Sequence, residues 1–346
     1  MKKVILASTA ILLLLGVAAY FVYTGINKNN NSDEYISITV GYEISYDETI
    51  DYAEYGVSVY EYNLQREEIS EIFRFPQNSM YPLGVYDKKS NSVYYTKERD
   101  NNTYTRRRTG DQIYVYNLDT DTDTMLTEDL SAVNYIIPVD DAVFFIAERQ
   151  IDSHNRWPKL ILGKVDLSNG SVIYWDEVET SSSLVLSVDR VQKRVYVAIY
   201  DGEEVDLAIG LFNSGEIMRP IATTHTICSY DYNLMDKREI LKKDNMKIYS
   251  IFARDNYLLY SFSDTLSPMP NSIRMSETIN LDNMEILHQT SEYFSWRGGN
   301  FSQDLKGVYS VIMDNTFTGI EYFNFETQER KTIVDLEDIA NMQLMY

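Results

Sequence analysis

The sequence predicts an all-β protein, a six-bladed β-propeller carried behind an N-terminal transmembrane helix, on three observations. Two lysines are followed by an uncharged apolar run of 23 residues, Val4 to Ile26. Beyond it the chain is written almost wholly in short β-branched and aromatic runs bounded by Asn, Asp, Gly and Ser, the grammar of strands and turns. One hairpin pattern then recurs at intervals of 44 to 67 residues.

The N-terminal run sets the expected address. It carries Leu12 to Leu15 at its centre and Tyr20, Phe21 and Tyr23 near its far end. A spanning helix needs ~20 apolar residues, and aromatic side chains favour the membrane interface. A cleaved signal peptide has a shorter apolar region of ~7–15 residues before a small-residue site. Val17-Ala18-Ala19 offers such a site, but the apolar run continues past it. The expectation is therefore an uncleaved anchor over residues 1–26 and a single-pass protein of the cell membrane. With Lys2 and Lys3 inside, the C-terminal domain is extracytoplasmic. Secretion after cleavage is the alternative. Asn27 to Ser32 reads as a flexible stalk, placed at 27–34, and residues 35–346 as one propeller domain.

The repeat consists of an aromatic-rich strand ending in Asn/Asp-Leu, a polar turn, and a second strand. It is visible at Tyr60–Leu64, Tyr114–Leu118, Val165–Gly170, Tyr230–Leu234, Ile279–Asn283 and Tyr322–Phe325. A further hairpin is expected over Leu207–Phe212, turning at Asn213-Ser214-Gly215. Between the markers lie strand–turn–strand units such as Val133–Val139 with Ala142–Ala147 and Ile248–Ala253 with Tyr257–Phe262. Four strands per ~45 residues is the arithmetic of a propeller blade. Counting units gives six blades, the sixth assembled from Ile339–Tyr346 and Tyr35–Ile44; dividing the length by the period gives seven, the alternative. Pairing the chain ends removes an exposed sheet edge.

One blade carries a recognisable resemblance. Ile113 to Thr120, Met125-Leu126-Thr127 and Ile136 to Ala147 together resemble the repeat of TolB-like propellers and the N-terminal propeller of dipeptidyl peptidase IV, a WD40-like pattern. That pattern runs "NLDTG", an "LT" pair, a Ser-Pro-Asp-Gly-type turn and an "IAF" strand. Here the turn is Pro138-Val139-Asp140-Asp141. The resemblance implies the fold and carries little function, since propellers host many activities. A peptidase of that kind needs a hydrolase domain, and the chain holds no G-x-S-x-G elbow. Only a stalk precedes the propeller, so a TolB role is not implied.

Composition excludes several classes. With 31 Lys+Arg against 52 Asp+Glu the formal charge is −21, which argues against nucleic acid, whose phosphates need clustered cations. One cysteine, Cys228, rules out a disulfide framework and reads as a small buried hydrophobe. There is no H-E-x-x-H, Walker or G-x-G-x-x-G motif, and neither a cofactor nor a catalytic residue is expected.

The candidate contacts lie on connections longer than hairpins require: Glu98–Arg108, Gln150–Pro158 and Asp264–Asn271, all between a blade's second and third strands and so on one rim. Arg106, Arg107 and Arg108 are suited to clamping an anionic group. His154, Arg156 and Trp157 bring an imidazole, a cation and an indole into a polar loop. Asp119, Asp121 and Asp123 alternate as the start of a calcium loop does, but the Gly at position 6 and the Glu at position 12 are missing, so a solvated turn is the simpler reading. Tyr94, Tyr95, Tyr196, Tyr200, Tyr257 and Tyr260 offer a stacking surface for sugar, although strand propensity alone explains them. The expected function is a binding or scaffold module for a protein or cell-envelope ligand; the alternative is a glycan-processing or lyase-type enzyme with carboxylates at the central channel.

Overall fold

The computed structural model describes residues 34–47, 52–79, 81–99, 110–149, 159–175, 181–266, 271–294, 298–313, 318–335 and 341–345. The apolar run and residues 27–33 of the stalk lie outside these. Among the described residues no helix is long and apolar enough to cross a membrane.

The strands form six antiparallel sheets of four. The first sheet holds β1 (Tyr35–Asp47), β2 (Tyr52–Asn63) and β3 (Glu68–Pro76). The second is β4 (Gly84–Asp87), β5 (Ser92–Glu98), β6 (Asp111–Asn117) and β7 (Thr122–Met125). The third is β8 (Leu130–Val139), β9 (Ala142–Arg149), β10 (Leu160–Asp166) and β11 (Val172–Tyr174). The fourth is β12 (Ser181–Asp189), β13 (Arg194–Asp201), β14 (His225–Asp231) and β15 (Arg238–Lys243), with α1 (Gly202–Asn213) between β13 and β14. The fifth is β16 (Lys247–Arg254), β17 (Tyr257–Ser263), β18 (Arg274–Asn280) and β19 (Glu285–Thr290). The sixth is β20 (Gly299–Phe301), β21 (Gly307–Met313), β22 (Thr318–Asn324) and β23 (Arg330–Asp335). The last strand, β24 (Asn341–Met345), returns to the first sheet and pairs antiparallel with β1, from Ser37↔Met345 to Gly41↔Asn341. The molecule is thus a six-bladed β-propeller closed by its own two ends; the seven-blade alternative is not what forms.

The recurring Asn-Leu signature has a physical cause. Asn63, Asn117 and Asn324 end the third strand of their blades, and each side-chain oxygen accepts two backbone N–H bonds of the following turn, at 2.9–3.1 Å. This local bonding is what makes Asn a turn residue. The next residue turns back into the blade. The N–H groups of Leu64, Leu118, Leu167, Leu281 and Phe325 donate to Glu34, Asn91, Asp141, Asn256 and Lys306, so the outer hairpin is tied to the chain entering the second strand. Blade four departs from the expected register. Its third strand ends at Asp231 rather than Asn233, Asp231 Oδ1 accepts from Met235 N at 2.8 Å, and Leu234 is left-handed with φ 59°.

Blades pack through apolar clusters shared between neighbours. Val57, Val59, Phe75, Tyr86 and Tyr95 join blades one and two. Ile36, Ile38, Val311, Ile320 and Val334 join six to one, and Phe252, Leu259, Phe294, Phe301 and Phe323 join five to six. No blade buries its own faces alone, which is why the ring must form as a unit. Close approach is demanding at Gly163: it pairs with Phe145, whose ring occupies the place of a β-carbon.

Antiparallel order fixes which connections share a face. The first-to-second and third-to-fourth turns lie on one face, the tight-turn face. The second-to-third and blade-to-blade connections lie on the other, the insertion face. Because β24 is the first strand of its blade, β1 is the second, and the chain enters at Tyr35 on the tight-turn face. Glu34 accordingly meets Arg254, at the end of β16, at 3.5 Å. The expected hairpin over Leu207–Phe212 is corrected to the helix α1. Asp201 caps it by accepting from Glu203 N at 2.9 Å, Glu203 and Glu204 sit favourably in the first turn, and Val205, Ala208, Ile209 and Phe212 keep helical spacing. Gly215, at φ 79°, follows the C-cap Ser214 and ends the helix.

Candidate functional site

The long connections gather on the insertion face. The segments leaving β5 at Glu98, β9 at Arg149, β13 at Asp201 and β17 at Ser263 all depart from it. Two of them bind one another. After α1 the chain returns through Pro220-Ile221-Ala222, which pairs with Asp264-Thr265-Leu266 of blade five: Ala222 N donates to Asp264 O at 3.0 Å and Leu266 N to Pro220 O at 2.9 Å. Arg219 adds an ion pair to Asp264 at 3.0 Å.

Beneath this small ribbon lies a cluster of polar groups shared by blades four and five. Tyr249 OH donates to Thr265 O at 2.8 Å, and Lys247 Nζ donates to Leu266 O at 2.9 Å while lying 4.7 Å over the Tyr249 ring. Tyr249 meets Tyr293 edge-on at 5.4 Å. His225 stacks on Tyr200 with ring centroids 5.3 Å apart, and its Nδ1 accepts from Ile248 N at 3.3 Å. Its Nε2 therefore carries the proton, and among the described residues that buried N–H has no partner, nor has the Thr223 hydroxyl.

Burial disfavours the charged form of each of these groups. Burial, with Lys247 nearby, pushes the His225 imidazole down to about 3, and burial lowers the Lys247 ammonium as well. Burial pushes Tyr249 up to about 12 and raises Tyr293 and Tyr135 further, Tyr135 on β8 adding to the shift of Tyr293. The cluster offers hydrogen-bond donors and ring faces at neutral pH. Among the described residues no group of three or more His, Cys, Asp and Glu is placed to hold a metal ion.

A second device recurs beside it, a carboxylate held by a tyrosine hydroxyl with a cation over the same ring. Glu277 accepts from Tyr260 OH and from Lys243 Nζ at 3.0 Å, with Lys243 5.2 Å over Tyr260. Asp129 accepts from Tyr174 OH and is paired with Arg149 at 3.0 Å, Arg149 lying 4.1 Å over Tyr174. Burial is the largest cause raising the tyrosines, and the adjacent carboxylates raise them further. These are braces within and between blades.

The residues singled out from sequence distribute differently. Arg106, Arg107, Arg108, His154, Arg156 and Trp157 lie outside the described residues, on connections that leave and rejoin the ring at the insertion face. Asp119, Asp121 and Asp123 take separate partners, Asn91 Nδ2 at 2.6 Å, Tyr116 OH and Lys97 Nζ at 2.9 Å. Tyr94, Tyr95, Tyr196 and Tyr260 are buried, in keeping with strand propensity rather than with a sugar-stacking surface. Cys228 is buried and unbridged. His225 and Lys247 carry no local signature in the sequence because their partners are distant in it; His225 alone starts a strand that follows a long connection.

The strand order defines the chain as a closed six-bladed propeller, and comparison with solved structures agrees on the β-propeller fold. TolB from Acinetobacter baumannii is similar over 90% of this chain and 66% of its own, with 13% identity and a TM-score of 0.53. The β-propeller domain of the Trilobed protease from Pyrococcus furiosus, described as having an open velcro topology, is similar over 87% of this chain and 94% of its own, with 10% identity and a TM-score of 0.52. An oligogalacturonate lyase in complex with manganese is similar over 82% and 74%, with 12% identity and a TM-score of 0.50. At these identities the likeness is one of fold. No protein-family model and no curated protein matches the sequence.

Proposed function

We propose that this chain is a binding propeller held on the outer side of a cell membrane by residues 4–26, presenting its insertion face to a protein or cell-envelope ligand. The observation that carries the reading is the segregation of the two faces. The chain enters the ring on the tight-turn face, while every connection longer than a hairpin requires departs from the other. A short stalk would therefore turn the insertion face away from the membrane. Loops held by rigid blades are where recognition residues are usually found. Arg106–Arg108 and Trp157 supply cations and an indole on an otherwise acidic molecule. Capture of envelope components by the full-length protein tests this: an Arg106→Ala/Arg107→Ala/Arg108→Ala variant and a Trp157→Ala variant lose the captured ligand, and equal recovery by both overturns the rim assignment.

A second reading, an enzyme acting at the polar cluster of blades four and five, is favoured by one observation: the strongly shifted Tyr249, Tyr293 and His225 gather with Lys247 under the ribbon. Turnover of a glycan or peptide by the purified protein, abolished by Tyr249→Phe, supports it against the binding module.

A further inference from the structure

We propose that α1 and the segment that returns from it form a docking site for a polypeptide segment that is basic and anchored by apolar side chains. The inference deepens the reading of the insertion face as the recognition face and rests on it.

The helix is apolar but unburied. No residue of α1 is buried, and it leaves Leu207 at 65% and Phe212 at 38% exposure. The N–H groups of Glu216 and Ile217 donate back to Leu211 O, which folds the following segment against the helix end. That brings Met218, 98% exposed, and Ile221, 42% exposed, onto the same excursion. Single exposed hydrophobes are ordinary; four within fifteen residues of one protruding element mark an interaction surface. Methionine is also a side chain that adapts to an incoming apolar anchor.

Charge selects the occupant. From Asp201 to Ala222 the chain carries five acidic residues, Asp201, Glu203, Glu204, Asp206 and Glu216, and a single basic one, Arg219, which is held by Asp264. No cation pairs with Glu203 or Asp206 among the described residues. An anionic lipid surface is repelled by such a rim, and a second acidic copy of this chain is a poor complement to it. A basic segment with apolar anchors satisfies both the patch and its border.

The test uses the full-length protein in phosphatidylcholine nanodiscs and two synthetic helical probes, one of leucine and lysine, the other of leucine and glutamate. The Leu/Lys peptide is expected to bind, to weaken with salt, and to lose about tenfold or more in affinity for a Leu207→Lys/Met218→Lys variant. A Val191→Lys/Met235→Lys control, which adds the same charge at exposed apolar residues on the tight-turn face, keeps its affinity. The four side chains are solvent-facing, so unfolding midpoints should match wild type; should the double variant misfold, Met218→Lys alone carries the comparison. Equal losses in both variants, or equal binding of the Leu/Glu peptide, overturns the proposal. So does a wild-type dimer that the Leu207→Lys/Met218→Lys variant abolishes, because the occupant is then a second copy. Loss of Leu/Lys binding with envelope capture intact separates this site from the Arg106–Arg108 and Trp157 rim.

Discussion

The tight-turn face and the insertion face are ends of the same strands, and both carry contacts between blades, such as Glu34–Arg254 and Asp189–Asn256 on the first, yet their connections are held differently. On the tight-turn face each hairpin saturates itself: Asn63, Asn117 and Asn324 bond their own turns, and the next residue ties the outer hairpin to the inner one. On the insertion face, order comes from residues far apart in sequence. Lys243 reaches Glu277, Tyr249 reaches Thr265, and Pro220–Ala222 pairs with Asp264–Leu266. That face also keeps buried donors, at Thr223 and His225, without partners among the described residues. Self-sufficient turns leave little to recognise, whereas long connections with unspent polar and apolar groups leave much.

The comparison breaks most visibly if the ring itself is opened. Deleting residues 339–346 removes β24 and exposes the edge of β1, whose backbone partners run from Ser37 to Gly41. The loss should reach ~5 kcal/mol or more, comparable with the whole stability of an ordinary domain, and abolish cooperative unfolding in calorimetry. Next is Lys243→Met, which leaves the buried Glu277 carboxylate without its cation. A cost of ~2–4 kcal/mol is expected by denaturant titration, partly recovered in Lys243→Met/Glu277→Met, because an apolar pair no longer buries a charge.

Acid should act on the insertion face in particular. His225 sits at about 3 in the fold, against ~6.5 in the unfolded chain, so between those values the unfolded chain binds more protons. Its contribution is complete above pH ~6.5 and drains as the pH falls toward 3, with a limiting slope of ~1.4 kcal/mol per pH unit. Stability measured against pH should lose that part of its slope in His225→Gln. The smallest effects contrast the faces directly. Asn117→Ala should cost ~1 kcal/mol by removing a turn's own acceptor. Replacing Glu203–Glu216 by a short Gly/Ser linker should cost less, since no residue of α1 is fully buried. A large loss from the linker swap would mean that the helix braces the ring.

The same contrast explains what the sequence made legible. The six-blade count, the closing pair of chain ends and the strand–turn–strand units follow from period-two runs and Asn-Leu turns, because those turns are stabilised locally. Blade four misled at its marker: Asp231 ends the strand, and the Asn233-Leu234 pair that looks like the signature lies inside the turn. The α1 segment also read wrongly, since Leu207 to Phe212 is a short apolar run that periodicity alone does not assign to strand or helix. The cluster of His225, Lys247, Tyr249 and Tyr293 was invisible because it is assembled from the starts of strands in two blades and a connection to a third. Its chemistry exists only once the ring has closed.

The central claim is that the insertion face meets the ligand. A photo-crosslinking side chain placed at Met218 on that face, or at Met235 on the opposite one, tests it in intact cells carrying the full-length protein; both positions are largely exposed. The account predicts a discrete adduct from position 218 and none from 235. An adduct from 235 with none from 218 would contradict it.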